Sequence, residues 1–403
     1  MKKRTIVKNP SKIGQADIVI GIPSLNEADN ISFVAEQIDK GLEKYYKKYK
    51  SVIINVDNDS FDGTRDVFLK SKTKNPKIYV STPSGVRGKG NNFLNLFEWA
   101  KKLDAKAVMV IDADLESVKP EWVKSFLEPI LSGKYEYVTP SYARNEYDGT
   151  ITNNITYPLI HGLYGMDLRQ PIGGDFAFAP RLIDIWTKER WYKTTKQYGV
   201  DIFMTMGAIL GQAKICQVKL GEKIHKPSAP KLGPMFSQVV STLLKGIITS
   251  KDQWMNVKES HKVPILGNKK MGKPQSLSVD YKSMKVAALF EYKTNREIIK
   301  RALTPEVFNK VDAMFEKERI DFGKTLWTKV IYDVIYSYDT TDLNAGLIEA
   351  LKPLYFGRVI SFIKFTLDLS CEESESEIRE QAQRFWDLRS YLLRKYEKNK
   401  KQY

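Results

Sequence analysis

Four β-branched runs, each separated from the next by a stretch of helical periodicity, govern what the first part of this chain can become. They are ADIVIGIPS (16–24), SVIINVDND (51–59), KIYVSTP (77–83) and AVMVIDADL (107–115), with amphipathic segments over 30–46, 62–72 and 91–103 between them. Strand and helix in strict alternation predict a parallel sheet with helices on its faces, an α/β fold. In open sheets of this kind ligands bind beyond the carboxyl ends of the strands. Functional residues are therefore expected just after each run.

From Tyr135 to about Gly221 strands mix with aromatic-rich segments and longer loops. The stretch HKPSAPKLGP then reads as a loop, and from Phe236 onward the periodicity is helical: FSQVVSTLLKGI, YKSMKVAALFEYKTNREIIKRAL and further amphipathic segments. The expected division is a catalytic domain over 1–235 and a helical C-terminal region over 236–403. The 403 residues, 42% hydrophobic, supply a sizeable core without staples. Two cysteines, Cys216 and Cys371, make neither a zinc cluster nor a disulfide framework and suit a reducing cytoplasm. No signal peptide or membrane-spanning run is visible. The net charge of +16 attracts phosphate in any form. Because Lys and Arg are interleaved with Glu on helices and no nucleic-acid module is present, specific nucleic-acid binding is disfavoured.

The strongest chemical signal is Asp112-Ala113-Asp114, directly after AVMVI. Alternation puts both carboxylates on one side, where their repulsion is relieved by a divalent cation that also bridges a diphosphate. Helix capping is the alternative reading. Asp57, Asn58 and Asp59 end the second run in a similar way and suit a nucleotide's base or ribose, while Asp62 suits a helix cap. In Ser84-Gly85-Val86-Arg87-Gly88-Lys89-Gly90 two cations and glycine backbone meet a helix start. This is a candidate diphosphate cradle, although it lacks the order of a P-loop and contains no GxGxxG. His225 lies in the Lys-rich loop that follows the run KICQVKL and could complete a metal site with Asp114, or is a plain surface histidine. Gly173-Gly174-Asp175 suggests backbone brought close to a ligand. Asp201 either caps the helix that follows or is presented to substrate.

Taken in order, IPSLNEADN, the Asp57–Asp59 group, GKGNNF, DAD, QPIGGDFA, YGVDI and HKPSAPKLGPMFSQVVSTLL resemble the retaining GT-A glycosyltransferases that make glucosyl-3-phosphoglycerate, mannosylglycerate and glucosylglycerate. The resemblance spans roughly residues 17–245 and implies a GT-A fold, a nucleotide-sugar donor and Mg²⁺ or Mn²⁺. It implies that Pro23, Leu25, Glu27 and Asp57 frame the nucleotide, with Gly88 and Lys89 near base or phosphates and Asp112 and Ala113 at the ribose. Asp114 and His225 would hold the metal, and Gly173, Asp175 and Asp201 would lie near the transferred sugar. No protein nucleophile is implied.

Phosphoglycerate-using relatives carry a Gly-Arg-Val-Thr-like segment where this chain has Gly149-Thr150-Ile151-Thr152, so the arginine is missing. A dianionic phosphate loses its best bidentate partner there. The expected acceptor is D-glycerate, near Thr150 and Thr152, with Arg144 or Arg169 as substitutes for the arginine. UDP-glucose is the favoured donor and GDP-mannose stays open. The product would be an α-glycosylglycerate, a compatible solute. Alternatives are transfer to 3-phosphoglycerate, a sugar nucleotidyltransferase, or a lipid or polymer glycosyltransferase. The C-terminal helices are expected to pack on the catalytic domain or to form a homodimer, and the loop after His225 to act as a lid.

Overall fold

The computed structural model describes residues 5–226, 232–267, 274, 277 and 280–400. The chain separates into two compact units that interleave in sequence. The first comprises Met1–Arg144, Ile172–Pro230 and Val263–Gln275; the second comprises Asn145–Pro171, Lys231–Lys262 and Ser276–Tyr403. A single boundary at 235/236 does not reproduce this division. Residues 145–171 form helical turns that belong with the C-terminal helices, and the strand at 265–266 returns to the first unit's sheet.

The strands, in chain order, are β1 Ile6–Lys8, β2 Ile18–Ser24, β3 Ser51–Asp57, β4 Lys77–Ser81, β5 Ala107–Val110, β6 Tyr137–Ala143, β7 Met166–Asp167, β8 Phe176–Phe178, β9 Ile215–Glu222, β10 His261–Lys262 and β11 Ile265–Leu266. In the first unit they form a nine-stranded mixed sheet of order β1-β4-β3-β2-β5-β8-β6-β9-β11. β4, β3, β2 and β5 are parallel, as the alternation predicts. β8 then runs antiparallel between β5 and β6, and β9 is parallel to β6. Every residue of β2 and β3 is buried, which is why these strands read as continuous apolar runs rather than alternating ones.

Helices α1 Ile31–Tyr45, α2 Thr64–Lys70, α3 Lys89–Lys102 and α4 Pro120–Leu131 connect the early strands, and α5, Tyr157–Tyr164, belongs to the second unit. α6 Arg181–Lys188 and α7 Val200–Leu210 complete the first unit's helices. Its core joins β2, β5, α1 and α4 through Ile18, Ile20, Ile38, Met109, Trp122 and Phe126. Burial of such side chains stabilises by about 1.5–3 kcal/mol each.

The second unit continues with α8 Leu232–Thr249, α9 Lys251–Trp254, α10 Tyr281–Ala302, α11 Pro305–Glu316, α12 Lys324–Thr340, α13 Asn344–Thr366, α14 Cys371–Asp387 and α15 Arg389–Lys400. Within it α10 packs on α13 and α14 on α5. α8 begins at Leu232, four residues before the periodicity at Phe236 suggests, because proline is tolerated in a helix's first turn. Most of the loop expected after His225, and with it the expected lid, falls on 227–231 and lies outside the described residues. None of the described helices is long and apolar enough to cross a membrane.

Candidate active site

β5 ends at Val110, and the chain then turns so that Asp112 and Asp114 stand at the carboxyl end of the parallel strands. The Asp112 N–H donates to Asp175 Oδ1 at 2.8 Å, fixing the turn. Asp175 is fully buried, and its Oδ2 accepts from the Tyr142 hydroxyl at 2.5 Å and from Lys223 Nζ at 3.1 Å. Lys223 also donates to the Gly173 carbonyl at 2.8 Å and lies 3.9 Å from Asp112 Oδ2. Gly174 has φ +89°, and a Cβ there would stand 2.2 Å from Asp112 Oδ2. The double glycine thus brings backbone close to a carboxylate of the site itself.

On the other side of Asp112, Lys89 Nζ lies 2.9 Å from Asp112 Oδ1 and 3.3 Å from Asp201 Oδ2. Asp201 opens α7 and Lys89 opens α3. Burial opposes charge on all three groups, with different outcomes. Lys89 is held charged, above the ordinary lysine range, by Asp112 and Asp201. Asp112 is held below the ordinary carboxylate range by Lys89 and Lys223. Asp201 is pushed up, because Lys89 does not outweigh burial and the repulsion of Asp112. Its Oδ1 is buried without a hydrogen-bond partner among the described residues.

Asp114 is pushed up as well, by burial and by Asp112, against weaker attraction from Lys223 and His225. His225 reaches it through an antiparallel bridge to Leu115, reinforced by the Glu116 N–H to the Ile224 carbonyl at 3.0 Å and the Ile224 N–H to Ser117 Oγ at 2.9 Å. His225 Nδ1 lies 2.7 Å from the Lys226 carbonyl. A carbonyl only accepts, so the Nδ1–H donates to it and orients the ring, as a backbone carbonyl does for metal-ligating histidines. The donor set therefore fits a divalent cation: a half-buried carboxylate that is costly to ionise without one, beside an oriented imidazole. Among the described residues no group of three His, Cys, Asp or Glu side chains is assembled to hold a metal.

The residues expected at the nucleotide divide into two sets. Glu27 is buried and pushed up chiefly by burial, and it meets Lys226 at 2.6 Å; Lys226 also meets Asp29 at 2.7 Å. Pro23 lies within β2, and Leu25 stands exposed beyond it. Asp57 is instead consumed internally. It accepts from Ser24 Oγ (2.7 Å), Ser60 Oγ (2.6 Å), the Ser60 N–H (2.8 Å) and the Tyr79 hydroxyl (2.9 Å), so it shapes the loop and has no oxygen to spare for a ligand. Ala113 is buried, with its carbonyl taken by Asn30 Nδ2 at 2.8 Å.

The expected diphosphate cradle is corrected in the same way. The N–H groups of Gly90 and Asn91 donate to the carbonyls of Gln197 and Lys196 at 3.1 and 3.2 Å, and that of Gly88 to Asn58 Oδ1 at 2.7 Å. A Cβ on Gly88 or Gly90 would meet the carbonyl oxygens of Lys196 or Thr195 at 2.3 and 2.1 Å. These glycines serve close packing of α3 on the 194–197 segment.

Thr150 and Thr152 belong to the second unit, where both are buried and Thr150 Oγ1 pairs with the Tyr355 hydroxyl at 2.6 Å. Arg169, in the same unit, is held bidentately by Glu375 at 2.8–3.1 Å. Arg144 is in the first unit, directly after β6 and within electrostatic reach of Tyr142. Sequence reasoning missed two residues. Lys223 precedes His225 by two, so alternation puts both on one side. Phe61, the single aromatic in the polar loop NDSFDG, is 80% exposed on a backbone pinned by Asn26 and Ser60.

Residues 19–184 match the family model for glycosyl transferase family 2. The matched span is less than half of the chain's 403 residues. It contains β2 to β8 and the Asp112, Asp114 and Asp175 cluster; Asp201, Lys223 and His225 lie beyond it. Solved structures similar to the chain include glucosyl-3-phosphoglycerate synthase from Mycobacterium tuberculosis in complex with Mg²⁺ and UDP, at 26% identity over 57% of this chain and 79% of that one, TM-score 0.47. The same enzyme with Mn²⁺, UDP-glucose and phosphoglyceric acid is 27% identical over the same shares, TM-score 0.47. A further mycobacterial protein is 26% identical over 59% of this chain and 76% of that one, TM-score 0.46.

Proposed function

We propose that this chain is a metal-dependent retaining hexosyltransferase that moves glucose from UDP-glucose to D-glycerate. The observation that carries the reading is the charge pattern at the end of β5. Lys89 and Lys223 neutralise Asp112, while Asp114, raised by burial and repulsion, faces the oriented His225. Asp114 and His225 would hold Mg²⁺ or Mn²⁺, which when bound supplies a Lewis acid for the departing diphosphate.

The remaining work falls to the chain's own groups. Lys223, anchored by Asp175 and Gly173, keeps a positive charge beside the position of the leaving phosphates. Lys89 holds Asp112 and Asp201 apart by charge and fixes both carboxylates. Asp201, with one oxygen unspent, is the candidate to accept a sugar hydroxyl. Leu25 and Phe61 offer exposed apolar surface to the base. Arg144 is proposed for the acceptor's carboxylate. The internal engagement of Thr150 and Arg169 supports the unphosphorylated acceptor, since neither is free to replace the absent arginine.

The test is direct. The protein is incubated with Mg²⁺ and UDP-glucose or GDP-mannose, with D-glycerate and 3-phosphoglycerate offered separately, and products are identified by mass and anomeric coupling. An α-glucosylglycerate from UDP-glucose is expected. Transfer only to 3-phosphoglycerate overturns the acceptor, and hydrolysis or exchange without transfer overturns the transferase reading.

A further inference from the structure

Lys226 follows His225 directly, and both belong to the first unit. The two ends of this lysine are engaged separately. Its carbonyl takes the ring hydrogen of His225 at 2.7 Å, and its ammonium lies 2.6 Å from Glu27 Oε2 and 2.7 Å from Asp29 Oδ1. Those carboxylates stand in the turn between β2 and α1, 199 and 197 positions away in sequence. On the N-terminal side of His225 the backbone is already held, through Ile224 with Ser117 and Glu116. On its C-terminal side, among the described residues, the anchor is Lys226.

The turn that receives the ammonium is fixed by bonds that do not involve Lys226. The Glu27 N–H donates to Thr64 Oγ1 at 2.9 Å and the Ala28 N–H to Asp62 Oδ2 at 3.0 Å. The Glu27 carbonyl accepts from the N–H groups of Asn30 and Ile31 at 3.1 and 2.9 Å, closing the start of α1. Asn30 Nδ2 then donates to the carbonyls of Ala113 and Leu115 at 2.8 and 2.9 Å, on either side of Asp114. One turn therefore supports the backbone of Asp114 through Asn30 and that of His225 through Lys226. The charge of Lys226 is spent on Glu27 and Asp29, and among the described residues it makes no ion pair with Asp114. Glu27 is only 11% exposed in this pair, so water screens it less than a surface contact.

From this arrangement, and on the reading of Asp114 and His225 as metal ligands, we infer that Lys226 is a positioning residue for the metal site. Its ion pairs fix the carbonyl that orients the His225 imidazole, and so strengthen the hold on a divalent cation that the lysine itself does not touch. Charge alone gives the opposite expectation. Asp114 and Glu27 are close enough to repel each other, so deleting the ammonium would leave more negative charge beside a cation and tighten its binding. The sign of the effect separates orientation from electrostatics.

The experiment is titration of the full chain with Mn²⁺ at constant ionic strength, with the free ion followed by electron paramagnetic resonance. Four proteins are compared: wild type, His225→Ala, Lys226→Met and Lys226→Arg. Weaker binding in His225→Ala is expected and locates the bound ion at this site. Lys226→Met is expected to raise the Kd about tenfold, the scale of losing a partner that orients a ligating histidine. Lys226→Arg should stay within about threefold of wild type, because a guanidinium can span the same two carboxylates. Should Lys226→Met fail to fold by circular dichroism, Lys226→Gln replaces it, with at least about a threefold rise expected. Unchanged or tighter binding without the ammonium, or no recovery in Lys226→Arg, overturns the proposal and leaves the metal reading standing. A wild type that binds no Mn²⁺, or a His225→Ala variant that binds as wild type does, overturns the metal reading and the proposal with it.

Discussion

Two acidic doublets stand at the ends of parallel strands on either side of β2 in the same sheet, Asp57-Asn58-Asp59 at the end of β3 and Asp112-Ala113-Asp114 beyond β5, and they have opposite fates. Both follow an apolar parallel strand, and both have the spacing Asp-x-Asp. Around Asp57 the donors are neutral: two serine hydroxyls, one amide and a tyrosine hydroxyl. Around Asp112 they are ammonium groups, and Asp114 has neither an ion pair nor a hydrogen bond among the described residues. A carboxylate surrounded by neutral donors is satisfied and structural. One set beside cations, next to a second carboxylate that is not neutralised, has electrostatic work left to do. The distinction lies in the partners, which come from elsewhere in the chain.

The sharpest way to break this comparison is to exchange charge for amide at each doublet. Asp114→Asn is expected to lower transfer by about 1000-fold, the scale of losing a principal electrostatic stabiliser, measured as kcat/KM with saturating Mg²⁺. The metal-free variant should melt no lower than wild type. Asp114 is raised in the folded state, so the unfolded chain gives up its proton first, and stability falls as pH rises through the window above 3.8. Asn at 114 removes that loss, and a lower melting temperature at neutral pH would place Asp114 with Asp57. Asp57→Asn should show the opposite pattern. Stability falls by about 1–3 kcal/mol in urea unfolding, because an amide N–H₂ is set against donors, while kcat per folded molecule stays within about threefold.

Lys89→Met tests the clamp between the two sides. Removing the cation leaves Asp112 and Asp201 buried and mutually repelling, and a stability loss of about 3 kcal/mol at neutral pH is expected. That loss shrinks as pH falls and the carboxylates protonate, a reversal that denaturant melts at two pH values detect. Metal affinity offers a smaller, pH-resolved effect. With Asp114 raised, protons compete with Mg²⁺ above the ordinary carboxylate range, so higher Mg²⁺ should move the acidic limb of the activity profile to lower pH. The smallest effect expected is for Phe61→Ala, a rise in the KM for UDP-glucose of about fivefold with kcat unchanged, since stacking on a base is worth about 1–3 kcal/mol at most.

Much of the first unit was legible in the sequence because β2, β3, β4 and β5 are buried on both faces, and such strands announce themselves as uninterrupted β-branched runs. The antiparallel insertion of β8 was not legible: Phe176–Phe178 is three residues long and its neighbours in the sheet are fixed by distant pairing. At the site, the turn after β5 could be read from its position at a strand end. What could not be read was the use of backbone amides. The 88–90 loop has the composition of a phosphate cradle, and only the approach of distant residues, Asn58 to the Gly88 N–H and Gln197 to the Gly90 N–H, shows that both glycine amides are spent. The tie of Asp112 to Lys223 likewise joins residues about a hundred positions apart. In the second unit the amphipathic helices were visible, but the assignment of 145–171 to them rests on contacts with α13 and α14 that leave no local pattern.

The hydrogen bonds of Asp175 have a consequence for the order in which competence arrives. This one carboxylate joins the turn after β5, Tyr142 on β6 and Lys223 just beyond β9. A nascent chain that has completed β5 already displays Asp112 and Asp114, yet it lacks Lys223 and His225, which are made about a hundred residues later. Such an intermediate carries uncompensated negative charge and no donor for a leaving phosphate. On the proposed function, transfer would be withheld until the sheet closes, and affinity for a nucleotide sugar would become a readout of whether the last strands have docked.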